Sequence, residues 1–260
     1  MTAMSVYEHF RPEEKPLIDQ CLDWKDQVSR NFAPKLTDFL DPRQQRVLEL
    51  IIGKNDDVRV TFSGGYPDAE RKRALLLPPY IPEEGEAFEL TAVEVAFASK
   101  FISLSHPELL GALTGTGVNR DKIGDLMVTG DRAQFICTKD IEPYLRLNLT
   151  SVGKNAVSCQ AIGKDELIHN QLNWVESWGT VPSLRLDAVA SEIYHLSRAK
   201  TAELIDRKRV RINWELIDRR DFELAEGDLL SVRGYGRSKI ISVDGLTKKH
   251  KIRLQYGKLY

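Results

Sequence analysis

Apolar and polar positions follow two different rhythms along this chain, and each change of rhythm marks a new part. Near the front, Leu17, Ile18, Cys21, Leu22, Lys25 and Val28 keep helical spacing with one polar slip, after a helix entry at Pro12 and Glu13-Glu14. Asp41-Pro42 reads as an N-cap and first helical residue leading into Val47, Leu48, Leu50, Ile51 and Ile52, with Gly53 as the stop. Val58–Phe62 alternates as a strand does, and the run 63–67 turns the chain. Glu70–Arg73 is expected to form a short helix. Residues 1–73 thus read as a mainly helical front.

From residue 74 to 163 strands and helices take turns. Leu75–Leu77 is a short strand, Pro78, Pro79 and Pro82 make a connector, and Phe88–Phe97 is a long strand. A helix begins at His106-Pro107 and is ended by Gly115 and Gly117. Asp125–Val128 and Gln134–Cys137 are two strands, Lys139–Asn148 an amphipathic helix, and Ala156–Ile162 a returning strand. Helices on one face of an antiparallel sheet make this middle segment α+β, of the RRM-like kind. Residues 164–182 read as the linker.

The last segment, 183–260, opens with Leu186, Val189, Ala190 and Ile193 on one helix face behind an expected N-cap at Ser183. A second helix starts at Ser197, with Ala199, Ala202 and Ile205 expected on its inner face. Strand alternation follows, with Val210 and Ile212 opposed to Arg211 and Asn213. Gly227-Asp228 turns the chain, Leu229–Val232 is a strand, and Gly234 and Gly236 bracket Tyr235. Asp244-Gly245 suggests a hairpin before Lys248-Lys249-His250-Lys251.

Charge sharpens this division. The whole chain is near neutral at −1, yet 181–260 holds 17 Lys+Arg against 11 Asp+Glu, which is +6 and leaves −7 for residues 1–180. A basic end on an acidic front suits a polyanion-binding module. Hydrophobic content of 42% and the lack of an ~18-residue apolar run argue against a membrane span. With no signal core or transit character at the front, the expected location is cytoplasmic. Cys21, Cys137 and Cys159 are widely spaced and read as reduced, buried thiols. His9, His106, His169, His195 and His250 have no partner at ligand spacing, so neither a metal nor another cofactor is expected.

The landmarks Arg185-Leu186-Asp187, Ser197-Arg198, Ala202, Leu204-Ile205, Val210-Arg211-Ile212-Asn213 and Glu226-Gly227-Asp228 resemble the S4 RNA-binding domain (αL type). Lys208 and Trp214 depart from that pattern where glycine is usual, which bears on the shape of two turns. Together with Leu110–Leu113, Gly115, Gly117, Arg120, Ile123-Gly124-Asp125 and Arg233–Arg237, the chain resembles the YlmH family, especially its cyanobacterial and plastid branch labelled "photosystem II S4 domain protein". Asn213-Trp214 fits that family. The resemblance implies an α+β protein with a second RNA-binding domain in the middle. It also implies a role on the large ribosomal subunit, with ribosomal RNA and tRNA as targets, in translation quality control.

The expected RNA contacts are Arg185, Ser197, Arg198, Lys200, Thr201, Lys208, Arg209, Arg211, Arg233, Tyr235 and Arg237, because A-form RNA is read through phosphates, shape and 2′-hydroxyls. A second contact is expected at Arg71, Lys72, Arg73, Arg120 and Lys122, the last two beside the glycine-rich run Gly111–Gly117. Competing readings are local: Arg198 could lock to Asp187, Arg219-Arg220 could be a solvated turn, and Tyr235 could pack on the sheet. No catalytic residue is expected, since no GxSxG, HExxH or nucleophile–base pairing is present. Two alternatives stay open: an RNA-modifying or nucleotide-dependent enzyme with its site near 111–125, and an interaction factor for cell division or photosystem assembly.

Overall fold

Helices and strands form where the sequence supplies their ends, as a computed structural model of the chain shows for residues 10, 14–53, 57–82, 87–168, 174–247 and 250–259. The chain divides into two compact units, Met1–Asn170 and Gln171–Tyr260.

The first unit begins with α1 (Lys15–Asn31), which buries Ile18, Cys21, Trp24 and Val28. Strand β1 (Lys35–Leu40) follows. Helix α2 (Pro42–Ile52) opens on a reciprocal cap in which Asp41 accepts from Gln44 N at 2.9 Å and Gln44 Oε1 accepts from Asp41 N at 2.8 Å. Gly53 stops it at φ 65°, a conformation open to glycine at little cost. Strands β2 (Arg59–Ser63) and β3 (Lys72–Leu77) complete an antiparallel sheet of order β1-β3-β2. Both helices close over Ala74 and Leu76 of β3.

Two expectations for this region change. The front carries a three-stranded sheet, with β1 unanticipated, rather than mostly helix. The expected helix over Glu70–Arg73 is replaced by a bend running into β3, because Arg71 and Arg73 satisfy main-chain carbonyls that a helix would leave open.

The middle of the same unit runs β4 (Leu90–Ala96), α3 (His106–Gly115), β5 (Ile123–Val128), β6 (Ala133–Thr138) and α4 (Glu142–Asn148). A two-strand ribbon, β7 (Ser151–Val152) with β8 (Asn155–Ala156), leads to β9 (Ser158–Ile162). Leaving the ribbon aside, the order β-α-β-β-α-β with an antiparallel sheet β5-β6-β4-β9 is the split βαβ topology. Leu109 and Leu113 of α3 and Leu145 of α4 pack on Val93, Val95, Phe135 and Cys137. The opposite face is covered too: Ala92, Met127 and Ile136 meet Phe39 of β1 and Leu167. All six residues of β6 are consequently buried.

The second unit is β10 (Val175–Val181), α5 (Leu186–Tyr194), α6 (Arg198–Asp206), β11 (Val210–Ile212), β12 (Glu215–Leu216), β13 (Leu229–Val232), β14 (Gly236–Leu246) and β15 (Ile252–Leu259). The strands pair antiparallel in the order β10-β15-β14-β13-β11-β12. Both helices pack on one side, where Leu186, Val189, Ile193, Leu204 and Ile205 meet Val210, Leu230, Val232, Ile240 and Leu254. The N-cap of α5 is Arg185, not Ser183, and it makes no side-chain cap. The first helical N–H groups already have acceptors, Leu186 N donating to Phe222 O at 2.8 Å and Asp187 N to Arg220 O at 3.2 Å, so a hydroxyl cap is not needed. On α6 the inner residues are Thr201, Leu204 and Ile205, while Ala199 faces solvent.

Candidate nucleic-acid interface

The expected contacts in the second unit separate into two groups with different electrostatics. The first lies on the helix pair. His195, at φ 54°, turns the chain out of α5, and Ser197 Oγ caps α6 by accepting from Lys200 N at 3.1 Å. Across that turn Asp187 takes Arg198 NH1 at 2.8 Å and Arg185 Nε at 3.2 Å. Burial works to raise the Asp187 carboxyl, but the Arg185 hydrogen bond and the charges of Arg198 and Arg185 outweigh it and hold the group below the usual carboxylate range. Glu203 accepts Lys200 Nζ at 3.0 Å and Arg207 NH1 at 2.9 Å, and Asp206 pairs with Arg220. The helix-pair cations named here therefore sit against the protein's own carboxylates. Thr201 leaves the candidate set: it is 1% exposed, and Ser191 Oγ donates to its hydroxyl at 2.9 Å.

The second group gathers at one end of the sheet. Helix α6 ends with Lys208 at φ 56°, so the left-handed turn that usually takes glycine is made by lysine. The next residue, Arg209, accepts Arg233 N through its carbonyl at 3.0 Å, which ties the helix exit to the β13–β14 turn. That turn runs through Gly234 at φ 89° and Gly236 at φ 94°, with Tyr235 half-exposed between them. A Cβ at Gly236 would lie 3.1 Å from Leu259 O, so the tight turn favours glycine on both counts. Tyr194 of α5 backs the turn. Its hydroxyl is 2.9 Å from Ser238 Oγ and donates to Gly236 O at 3.3 Å, and its ring meets Tyr235 edge-on with centroids 6.2 Å apart. Lys258 Nζ lies 5.8 Å from the Tyr194 centroid.

The sheet face away from the helices adds a row. Arg211 stands opposite Ser231, Ser231 opposite Arg237, and Lys239 follows two residues on. Arg211 donates to Trp214 O at 2.9 Å and so braces the β11–β12 turn, where Asn213 at φ 48° and Trp214 at φ 66° both take the left-handed conformation. Among the described residues, Arg209 and Arg233 are exposed and no ion pair within 4 Å is seen for either, although the Arg209 charge acts on the Glu203 carboxylate from farther off. Tyr194, Lys239 and Lys258 were not expected from sequence. Tyr194 belongs to the apolar stripe of α5, and Lys258 reaches the site only through the β14–β15 pairing. Lys248 and Lys249 of the expected basic hairpin, like His9 and His169, lie outside the described residues.

The expected second contact is reorganised in the first unit. Arg73 is 6% exposed and donates to Thr37 O at 2.7 Å, Phe88 O at 2.8 Å and Glu89 O at 3.2 Å; desolvation lowers its pKa against the pull of nearby Asp38, Glu89 and Asp140. Arg71 reaches Phe39 O at 3.0 Å, Ile123 O at 3.2 Å and Asp121 at 3.3 Å. Arg120 donates to Ile123 O and Gly124 O, and desolvation, aided by the Arg71 charge, pushes it down to about 10. Lys122 pairs with Asp38 at 2.9 Å and Asp140 at 3.3 Å. Asp125 organises the bend by accepting from Tyr66 Oη at 2.8 Å, Glu70 N at 2.7 Å and Arg71 N at 3.0 Å. Only Lys72 of the five, half-buried on β3, is left without such a described anchor. These side chains join the front sheet to the middle domain. They correct the expectation that Arg71, Arg73 and Arg120 face outward, and Arg120 and Lys122 are turned away from a grip on phosphate beside Gly111–Gly117.

That glycine run ends α3, and its outer side lines a shallow groove of about 470 Å³ with Glu108, Gly111, Gly115, Thr116, Asn148 and Gly153. Glu108 is held by Ser105, whose hydroxyl donates at 2.6 Å. All three cysteines are buried, with burial pushing Cys21 up to about 12 and Cys159 up to about 11. Among the described residues no three His, Cys, Asp or Glu side chains form a metal-holding group, and no helix is long and apolar enough to cross a membrane.

Two family models match the first unit: "YlmH, N-terminal" over residues 13–81 and "Putative RNA-binding domain in YlmH" over residues 82–166. A curated relative, "Ribosome-associated protein quality control protein P2" of Bacillus subtilis (strain 168), is 43% identical over 251 residues, spanning 96% of this chain and 97% of that protein. The solved structure "Cell division protein ylmH from Streptococcus pneumoniae" is 30% identical with a TM-score of 0.54, covering 62% of this chain and 97% of that one.

Proposed function

Since this chain belongs to the YlmH family, we propose that it is a ribosome-associated RNA-binding protein that acts without covalent chemistry. Its C-terminal unit is an S4-type module that holds structured RNA, and the target is ribosomal RNA with tRNA on the large subunit. The name of the Bacillus relative supports the ribosomal setting. The observation that carries the RNA surface is the sheet end where exposed Arg209 and Arg233 are tied together by main chain and neither is locked in a close ion pair among the described residues, Arg209 acting on Glu203 only at longer range. Cations held by a rigid backbone and facing water need no carboxylate displaced before they meet a phosphate.

The helix-pair cations play a second, weaker part. Surface ion pairs of this kind are worth about 0–1 kcal/mol, so Arg185, Arg198 and Lys200 can exchange a carboxylate for a phosphate at small cost. The sheet of the middle domain does not offer the exposed face on which RRM-type modules stack bases, because Phe39 and Leu167 cover it. Glu108 is the ionisable side chain that lines the groove beside Gly111, and that carboxylate already serves the α3 cap, which favours a non-catalytic reading.

Photocrosslinking of the full-length chain to ribosomes, with mapping of the attached peptides, tests the reading. Adducts within Arg207–Arg211 and Arg233–Arg237 are expected. Adducts confined to residues 82–166, or none, would reject it.

A further inference from the structure

We infer that Tyr235 is the seat for an unpaired nucleobase, so that the RNA partner presents an extruded base beside a folded phosphate run rather than an unbroken duplex. This rests on the reading of the sheet end as the RNA surface. Tyr194 and Tyr235 are neighbours with opposite environments. Tyr194 is 7% exposed and locked by its hydroxyl, whereas Tyr235 is 40% exposed and meets the Tyr194 ring edge-on. An interplanar angle of 65° at 6.2 Å consumes at most one face of Tyr235.

The turn around Tyr235 is stripped of obstruction. Gly234 and Gly236 flank the ring, and a Cβ at Gly234 would meet nothing within 4 Å. The ring is also held from below, since Tyr194 is anchored to Ser238 and Gly236 and carries Lys258 against its own ring. Arg233 stands two residues before Tyr235, and its main-chain N–H donates to Arg209 O, so the backbone of two exposed arginines is anchored at the turn that carries the ring. A duplex keeps its bases stacked inside and offers such a ring nothing to stack on; a splayed-out base in a loop or bulge does.

The test uses the full-length chain and two hairpin RNAs of equal length and phosphate count, one fully paired and one carrying a single unpaired 5-iodouridine. Wild type is expected to prefer the bulged RNA by about tenfold and to crosslink through the iodouridine to Tyr235. Tyr235→Phe should keep the preference. Tyr235→Ala should lose it while keeping the salt dependence set by the arginines. Equal binding of both RNAs by wild type, or an equal loss on both RNAs in Tyr235→Ala, would overturn the inference and leave the RNA surface standing. No binding to either RNA by wild type would instead overturn the reading beneath it.

Discussion

Asp187 and Arg198 are joined across the turn between α5 and α6, with Arg198 NH1 2.8 Å from Asp187 Oδ2. The same carboxylate takes Arg185 at 3.2 Å, so one acid restrains two cations of the candidate RNA surface. Asp187→Asn should therefore tighten structured-RNA binding several-fold at low salt and steepen its salt dependence, measured by fluorescence anisotropy. Unchanged affinity would place the helix pair outside the interface.

The same pair has a pH consequence. The Asp187 carboxyl is held below its unfolded value, so its contribution to stability is present above the ordinary carboxylate range and is lost as pH falls through the folded pKa. Urea unfolding of wild type and Asp187→Asn at a series of pH values should converge below about pH 4 and separate, with wild type the more stable, at neutral pH. A constant difference across the series would assign the effect to packing.

Arg73 predicts the opposite behaviour from a surface arginine. Its guanidinium is buried on three main-chain carbonyls, two of them on the connector before β4. Arg73→Ala takes the guanidinium donor from Thr37 O and Phe88 O, whereas Glu89 O keeps Lys139 N. The change should cost about 2–4 kcal/mol of stability, while folded protein keeps its RNA affinity. A thermal midpoint equal to wild type together with weakened RNA binding would return Arg73 to the list of contacts.

Gly64 marks a place where the turn after β2 leaves no room. A Cβ there would lie 2.3 Å from Ala69 Cβ and 2.4 Å from Arg71 O, and neither can swing aside as a long side chain would. Gly64→Ala should cost about 1–3 kcal/mol by forcing the backbone apart, with the loss confined to the first unit in hydrogen exchange. A stability equal to wild type would show that the bend from 63 to 71 is plastic.

Much of this architecture was legible because ends and periods are local properties. Asp41-Pro42 announced α2, and Ser197 announced α6. Alternation found β4, β5, β6 and β9 of the middle domain, whereas Leu75–Leu77, expected there too, is part of β3 in the front sheet. What escaped depends on partners distant in sequence. Strand β1, KLTDFL, looks too polar for a buried strand until Arg73 and Ala74 N are seen to satisfy Thr37. The basic run at 71–73 reads as solvated because nothing nearby in sequence predicts carbonyls from Thr37 and Phe88 closing on it. Thr201 reads as a surface hydroxyl until Ser191, ten residues away, gives it a partner. That the segment is basic was legible in its composition, but which of its cations meet carboxylates depends on how the two helices and their turns pack, as Asp187 with Arg198 and Asp206 with Arg220 show, and composition carries no such geometry.

Arg209 and Arg233 meet phosphate at the sheet end, and the salt dependence of RNA binding measures that directly. With about five cations engaged, affinity for a structured RNA should fall roughly a hundredfold or more from low to moderately high salt. In full-length Arg209→Ala/Arg233→Ala protein, the slope of log affinity against log salt should drop by about two, with the unfolding midpoint unchanged. A double variant with the slope and affinity of wild type would contradict the assignment of the sheet end as the RNA surface.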